Sequence, residues 1–228
     1  MIGPAPPGRT NTNKSEKASW ACGAPFKLGC VAHGETISVR CGRWRTCRGC
    51  ALWKQWQLTQ RFTAGIEKTP SPFVPLFFTL TFPADQAPTE DDAHTAWRSL
   101  VARLRYRDRL GAYGWVLQRT KRGTLHFHGI AHMVRWPQDD GLAEWRMLLE
   151  ASGFGIQNRL EPANAARARY CARYISTGLA TLAPLRRAYG FSRDFPLSHY
   201  DEERLRVARV GAEIGMRPEC EWLPGYLI

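Results

Sequence analysis

Two histidines separated by one apolar residue, His126-Phe127-His128, are spaced to hold a cation in this 228-residue chain. They sit in a run that reads as a strand, where side chains alternate. His126 and His128 therefore share one face and Phe127 takes the other. At about 3.3 Å per residue their Cβ atoms lie roughly 6.6 Å apart, so both imidazoles can converge on one ion. Taken alone, such a pair reads first as polar decoration of a solvated sheet face. A second group is sulfur: Cys22, Cys30, Cys41, Cys47 and Cys50 crowd into one short stretch. Cys47-Arg48-Gly49-Cys50 has knuckle spacing, and Cys41 and Cys30 complete a four-thiolate structural Zn²⁺ site, with Cys22 and His33 in reserve. Free buried thiols or a redox pair are the competing readings; a redox pair would open a helix after a core strand, a pattern not seen here. A third group is Tyr170 and Tyr174, four residues apart on a predicted helix and so on one face, with Arg167 and Arg173 nearby. On its own that spacing reads as a half-buried packing stripe.

The elements that must position these groups follow from periodicity. Residues 1–20 are Pro/Gly/Asn-rich and read as a mobile tail; 21–68 form a zinc-binding module with a linking helix over Ala51 to Ile66. Residues 69–180 read as the main domain. It opens with a β-branched and aromatic core strand, Phe73 to Phe82, on which Thr79 and Thr81 share a face. Thr89-Glu90-Asp91-Asp92 supplies a capping box for a helix whose apolar stripe is Ala93, Trp97, Leu100, Val101 and Leu104. Tyr113 to Gln118 pairs with the histidine strand as a hairpin whose tip carries Arg119, Lys121 and Arg122. The simplest register sets Gln118 across from His126, where it is either a third ligand oxygen or an ordinary cross-strand partner. A second amphipathic helix spans Asp140 to Ala151, a strand begins at Gly153, and the tyrosine helix runs from Pro162 to Thr177. Residues 181–228 read as a basic extension with a short helix from about Tyr200 to Glu213.

Lys and Arg number 32 against 20 Asp and Glu, a formal charge of +12. The excess suits nucleic acid ahead of an anionic membrane surface, and the preference for Arg suits phosphate. Arg40, Arg43, Arg45, Arg48 and Lys54 interleave with Trp44, Trp53 and Trp56, a mixture fit for backbone and stacking contacts to a single strand. No run of eighteen or more apolar residues and no hydrophobic leader is seen, which predicts a chain neither membrane-spanning nor exported.

Three segments carry a family likeness. Phe77-Phe78-Thr79-Leu80-Thr81-Phe82-Pro83, His126-Phe127-His128 and Tyr170-Cys171-Ala172-Arg173-Tyr174 occur in the order found in the HUH endonucleases. Over roughly residues 73–178 the chain resembles the rolling-circle replication initiators of small single-stranded DNA phages and related plasmids, and Arg40 to Lys54 resembles the cysteine-rich segment that often precedes that domain. The resemblance implies an α+β fold, a central antiparallel sheet with flanking helices. It implies Mg²⁺ or Mn²⁺ held by His126, His128 and Gln118, and Tyr170 and Tyr174 as nucleophiles assisted by Arg173. The reaction it implies is nicking and rejoining of single-stranded or supercoiled origin DNA through a 5′-phosphotyrosyl link, beside the replication machinery of a bacterial host and in its cytoplasm. Arg119, Lys121, Arg122, Arg43, Arg45 and Arg48 are the expected DNA contacts. Arg173 stands where the family has Lys, and Thr177 where a second Lys often follows. A single-strand transposase or relaxase, or a zinc-containing nucleic-acid-binding protein that does not cleave, are the alternatives.

Overall fold

A computed structural model describes residues 22, 26–30, 36–41, 43–120, 123–134, 141–155, 158–177, 187–203, 205 and 222–224. The chain divides into two compact units, Thr59–Ser198 and Met1–Leu58 with His199–Ile228. Among the described residues no helix is long and apolar enough to cross a membrane.

The larger unit is a five-stranded antiparallel sheet with helices on its faces. Its strands are β3 (Phe73–Thr81), β4 (Leu110–Arg119), β5 (Leu125–Val134), β6 (Arg159–Pro162) and β7 (Tyr189–Phe191), in the order β6-β3-β5-β4-β7. β5 is central, flanked by β3 and β4, so its pleat decides which side chains meet on each face. Phe127 is fully buried against Trp97, their rings stacked at 5.5 Å. Trp97 belongs to α2 (Glu90–Tyr106), whose buried stripe is the one read from the sequence, with Ala96 added. Thr89 caps that helix: its hydroxyl accepts from the Asp92 N–H, and the Asp92 carboxylate accepts from the Thr89 N–H. The Thr89 hydroxyl, which also donates to Asp92 Oδ2 at 2.7 Å, and then the Thr89 N–H hold the Asp92 carboxyl below its ordinary range. On the opposite face of β5, His126, His128, Ile130 and His132 point toward α4 (Ala165–Thr177) and the second half of α1 (Arg48–Glu67).

Several boundaries differ from the sequence reading. Gly153 does not open a strand; with φ of 87° it closes α3 (Gly141–Glu150), its N–H donating to Glu150 O, and pairing resumes at Arg159. Pro162 ends β6 instead of starting the tyrosine helix, and Asn164 caps α4 by accepting the Arg167 N–H at 3.1 Å. The stretch read as a C-terminal extension supplies β7 to the central sheet. It also supplies β8 (Trp222–Pro224) to a three-stranded sheet with β1 (Phe26–Cys30) and β2 (Thr36–Val39). Residues 199–203 are helical; 206–213, like residues 1–20, lie outside the described residues.

Candidate functional site

The β4–β5 hairpin sets Gln118 directly across from His126, the register expected from the sequence. The side-chain bond, however, runs diagonally: Gln118 Oε1 lies 2.9 Å from His128 Nε2. An amide oxygen only accepts, so Nε2 carries the imidazole proton, and Nδ1 accepts from the Thr79 hydroxyl at 3.0 Å. Both ring nitrogens of His128 are thus fixed by one residue from each neighbouring strand. His128 is 3% exposed. Burial, with a smaller contribution from the charge of His126, pushes its pKa down to about 3, so the ring is neutral. His126 is half-buried, its Nε2 3.3 Å from Thr124 Oγ1, and burial lowers its pKa as well. The two imidazole centroids are 6.3 Å apart.

The structure packs α4 over His128. Tyr174 stacks on the His128 ring at 4.8 Å with 13° between the planes, and Tyr170 meets it edge-on at 5.3 Å. The two phenols are 5.0 Å apart. Burial, then a hydrogen bond and the charge of Tyr170, push the Tyr174 phenol up, while Arg173 pulls partly the other way. Arg173 is exposed. Arg167 lies over Phe77 at 4.9 Å and pairs with Glu161 of β6, which fixes the first turn of α4 against β3. Cys171, between the tyrosines, is wholly buried and its thiol is pushed up, which makes it packing and not a nucleophile. The part played by Thr79 was not read from the sequence; the only trace of it was a threonine on the histidine-facing side of the core strand.

In the smaller unit the four cysteines brought together are Cys22, Cys41, Cys47 and Cys50, their sulfurs all within 4.8 Å of one another. Cys22, a reserve in the sequence reading, is the fourth member of this group, and the side chain of Cys30 lies outside what is described. Cys30 ends β1, its backbone paired with Trp222, whereas the Cys41 N–H donates to Cys22 Sγ at 3.2 Å. His33 lies outside the described residues. Sulfur separations of 3.5, 3.7 and 3.9 Å suit a tetrahedral Zn–S₄ centre, for which bonds of about 2.3 Å give edges of about 3.8 Å. Cys47 and Cys50 stand at the start of α1, where the helix dipole favours thiolate. Around the cluster Arg45 lies over Trp44, Arg40 lies over Trp53, and Arg43 and Arg48 are exposed. At the hairpin tip Arg119 donates to Gly123 O, and Lys121 and Arg122 lie outside the described residues.

With the histidines, the glutamine and the tyrosine helix in place, comparison with known families becomes informative. Residues 75–179 match the family model of the replication-associated protein ORF2. The matched span, just under half of the chain, runs from within β3 through α4 and so contains Thr79, Gln118, both histidines and both tyrosines. This similarity to replication-associated proteins supports a part in DNA replication. The cysteine cluster and β7 fall outside the span. No curated protein and no solved structure matches the chain.

Proposed function

We propose that the chain is a replication initiator of the HUH type, an endonuclease and strand transferase that nicks and rejoins origin DNA. The observation that carries this reading is the placement of Tyr170 and Tyr174 against one buried imidazole whose Nε2 already faces a glutamine oxygen. The donor set of one amide oxygen and two imidazoles fits Mn²⁺ or Mg²⁺. The 2.9 Å between Gln118 Oε1 and His128 Nε2 is close to the ligand–ligand edge of about 3 Å expected for bonds near 2.1 Å. Such an ion supplies Lewis-acid stabilisation of charge on the scissile phosphate.

The protein's own contribution is positional. For His128 Nε2 to become a ligand, its proton moves to Nδ1. The Thr79 hydroxyl, both donor and acceptor, turns to receive it. The tyrosine oxygen gives up its proton to solvent and attacks phosphorus in line, the P–O3′ bond breaks, and the 3′-oxygen takes a proton from solvent and leaves as a hydroxyl. The phosphate remains on tyrosine as a 5′-phosphotyrosyl ester, which keeps the bond energy for a second transfer that closes the strand. Arg173, the cation nearest Tyr174 in sequence, favours the phenolate and offsets charge on the phosphoryl oxygens. A structural Zn²⁺ at Cys22, Cys41, Cys47 and Cys50 fixes the start of α1 and its exposed arginines for DNA contact. The replicon is that of a small phage or plasmid, and the partners are its origin DNA and the host replication machinery.

The test is incubation with labelled single-stranded origin DNA and Mn²⁺, followed by denaturing electrophoresis. A covalent protein–DNA adduct is expected, and it should vanish in the Tyr170→Phe/Tyr174→Phe double variant. No adduct would leave a zinc-containing DNA-binding protein without nuclease chemistry, and one that survives the double substitution would overturn Tyr170 and Tyr174 as the nucleophiles.

A further inference from the structure

The sheet face that carries Phe127 is covered by α2 above β3 and β5, but not to the β4–β7 edge. There a cleft of about 600 Å³ opens between α2 and the last two strands, within the range of about 300–1,000 Å³ usual for ligand sites. It lies on the opposite side of the sheet from His126, His128 and Gln118, because Trp115 and Tyr113 alternate with Gln118 along β4. Its floor is aromatic: Trp115 lies against the backbone of Gly190, where a Cβ would come within 2.8 Å of the indole, and Tyr113 is half-buried beside it. His94 tilts over Trp115 at 5.2 Å. The buried His94 Nε2 has no hydrogen-bond partner among the described residues, the Glu90 carboxylate standing 3.7 Å away.

Its rim is cationic. Arg98 and Arg105 come from α2 and Arg187 from the opposite lip, where its N–H is tied to Glu90 Oε1 at 3.2 Å. All three arginines are exposed; Asp91 is the one acid among the described lining residues, and the Glu90 carboxylate stands beside the Arg187 lip. Arg105 caps the Tyr113 ring at 5.6 Å, a geometry that presents a charge and a ring face together. Arg98 and Arg105 are seven residues apart, about 10.5 Å along the helix axis, so a strand laid along α2 meets them in succession.

We propose that this cleft is a second binding site for single-stranded DNA, with phosphates on Arg98, Arg105 and Arg187 and a base against the half-buried Tyr113. Trp115, only 4% exposed, backs the floor from beneath. The inference rests on the functional reading only in taking DNA as the partner. A strand held here lies on the far side of the sheet from the tyrosines, so the site grips flanking sequence and not the scissile nucleotide. Aromatic floor and guanidinium rim together favour a nucleic acid over an acidic peptide, which needs only the charge.

The experiment uses the full chain, a bromodeoxyuridine-substituted oligonucleotide and a buffer with no added Mg²⁺ or Mn²⁺. Photocrosslinks are expected in the peptide that carries Tyr113 and Trp115. By fluorescence anisotropy, Arg98→Ala/Arg105→Ala should weaken binding about tenfold and reduce the salt slope by about 1.4, two phosphates at about 0.7 each. Arg98→Lys/Arg105→Lys should keep most of that slope. Crosslinks confined to β5 and α4, or an unchanged slope in the alanine variant, overturn the proposal. So does polyglutamate that displaces the oligonucleotide as well as unlabelled strand does, which would make the cleft a site for an acidic protein. Cleavage is suppressed in this assay, so the adduct is read in the separate Mn²⁺ incubation: a chain that binds here yet forms no adduct there fails only the nuclease reading. One that forms the adduct with an unchanged slope fails only this one.

Discussion

Of the two tyrosines against His128, the structure treats one as the harder to ionise. The Tyr174 phenol is half-buried and hydrogen-bonded to Tyr170, both of which oppose the phenolate. On the proposed mechanism, first attack is therefore expected of Tyr170. In single-turnover nicking, Tyr170→Phe is expected to slow the first cleavage by about tenfold or more and Tyr174→Phe by less than about threefold. Equal losses would show that the burial of Tyr174 has no bearing on the order of attack. What the sequence made legible at this scale is the pairing of Gln118 with His126, since strand alternation and a tight hairpin leave little choice of register. It did not reveal the diagonal bond to His128 or the bond from Thr79. Side-chain torsions choose the first, and the second depends on β3 pairing with β5 across the intervening helix α2 and strand β4.

Among the elements, β5 bears the greatest constraint, because both its faces are occupied. Gly129 follows His128, and a Cβ there would meet Gly114 O and the Phe78 ring, each at 2.3 Å. Neither can yield without parting β4 from β5 or moving the Trp97 stack on Phe78. Gly129→Ala should thus destabilise by about 1–3 kcal/mol, the usual cost of overpacking, read as a lower urea midpoint at unchanged slope. A midpoint equal to that of the parent would mean that the close approach is relieved at no cost. The core strands and α2 were legible because their patterns are strong: an aromatic run in β3, a capping box and an apolar stripe in α2. α4 was misplaced at its start because Pro162 suits both a first helical turn and a strand end. Only its pairing with Leu76 in β3 decides between them.

For the whole molecule, the cysteine cluster makes the sharpest distinction between spacing and structure. Knuckle spacing correctly picked Cys47 and Cys50, which are local to one helix start. The fourth position could not be chosen this way, because a loop of any length can deliver a thiolate and ligand spacing decays as a guide outside the knuckle. Replacing Cys22 by Ser should abolish stoichiometric Zn²⁺, measured by elemental analysis, and should remove the thiolate charge-transfer absorption of the Co²⁺-substituted protein. Cys30→Ser should leave both intact. The reverse result would restore Cys30 to the site. Chelation of the ion should loosen the smaller unit, because binding free energy at a structural zinc site is folding free energy.

The hairpin of β4 and β5 holds Gln118, His126 and His128 within one short stretch of chain, whereas the tyrosines arrive much later, on α4. A chain made from its N-terminus exposes this hairpin first, and local pairing is the fastest kind to form. On the proposed mechanism, the residues that would hold the ion are then in place on the ribosome before the tyrosines that would attack. Reactivity toward DNA would begin only when α4 packs over His128, so a partly made protein is expected to grip but not cut.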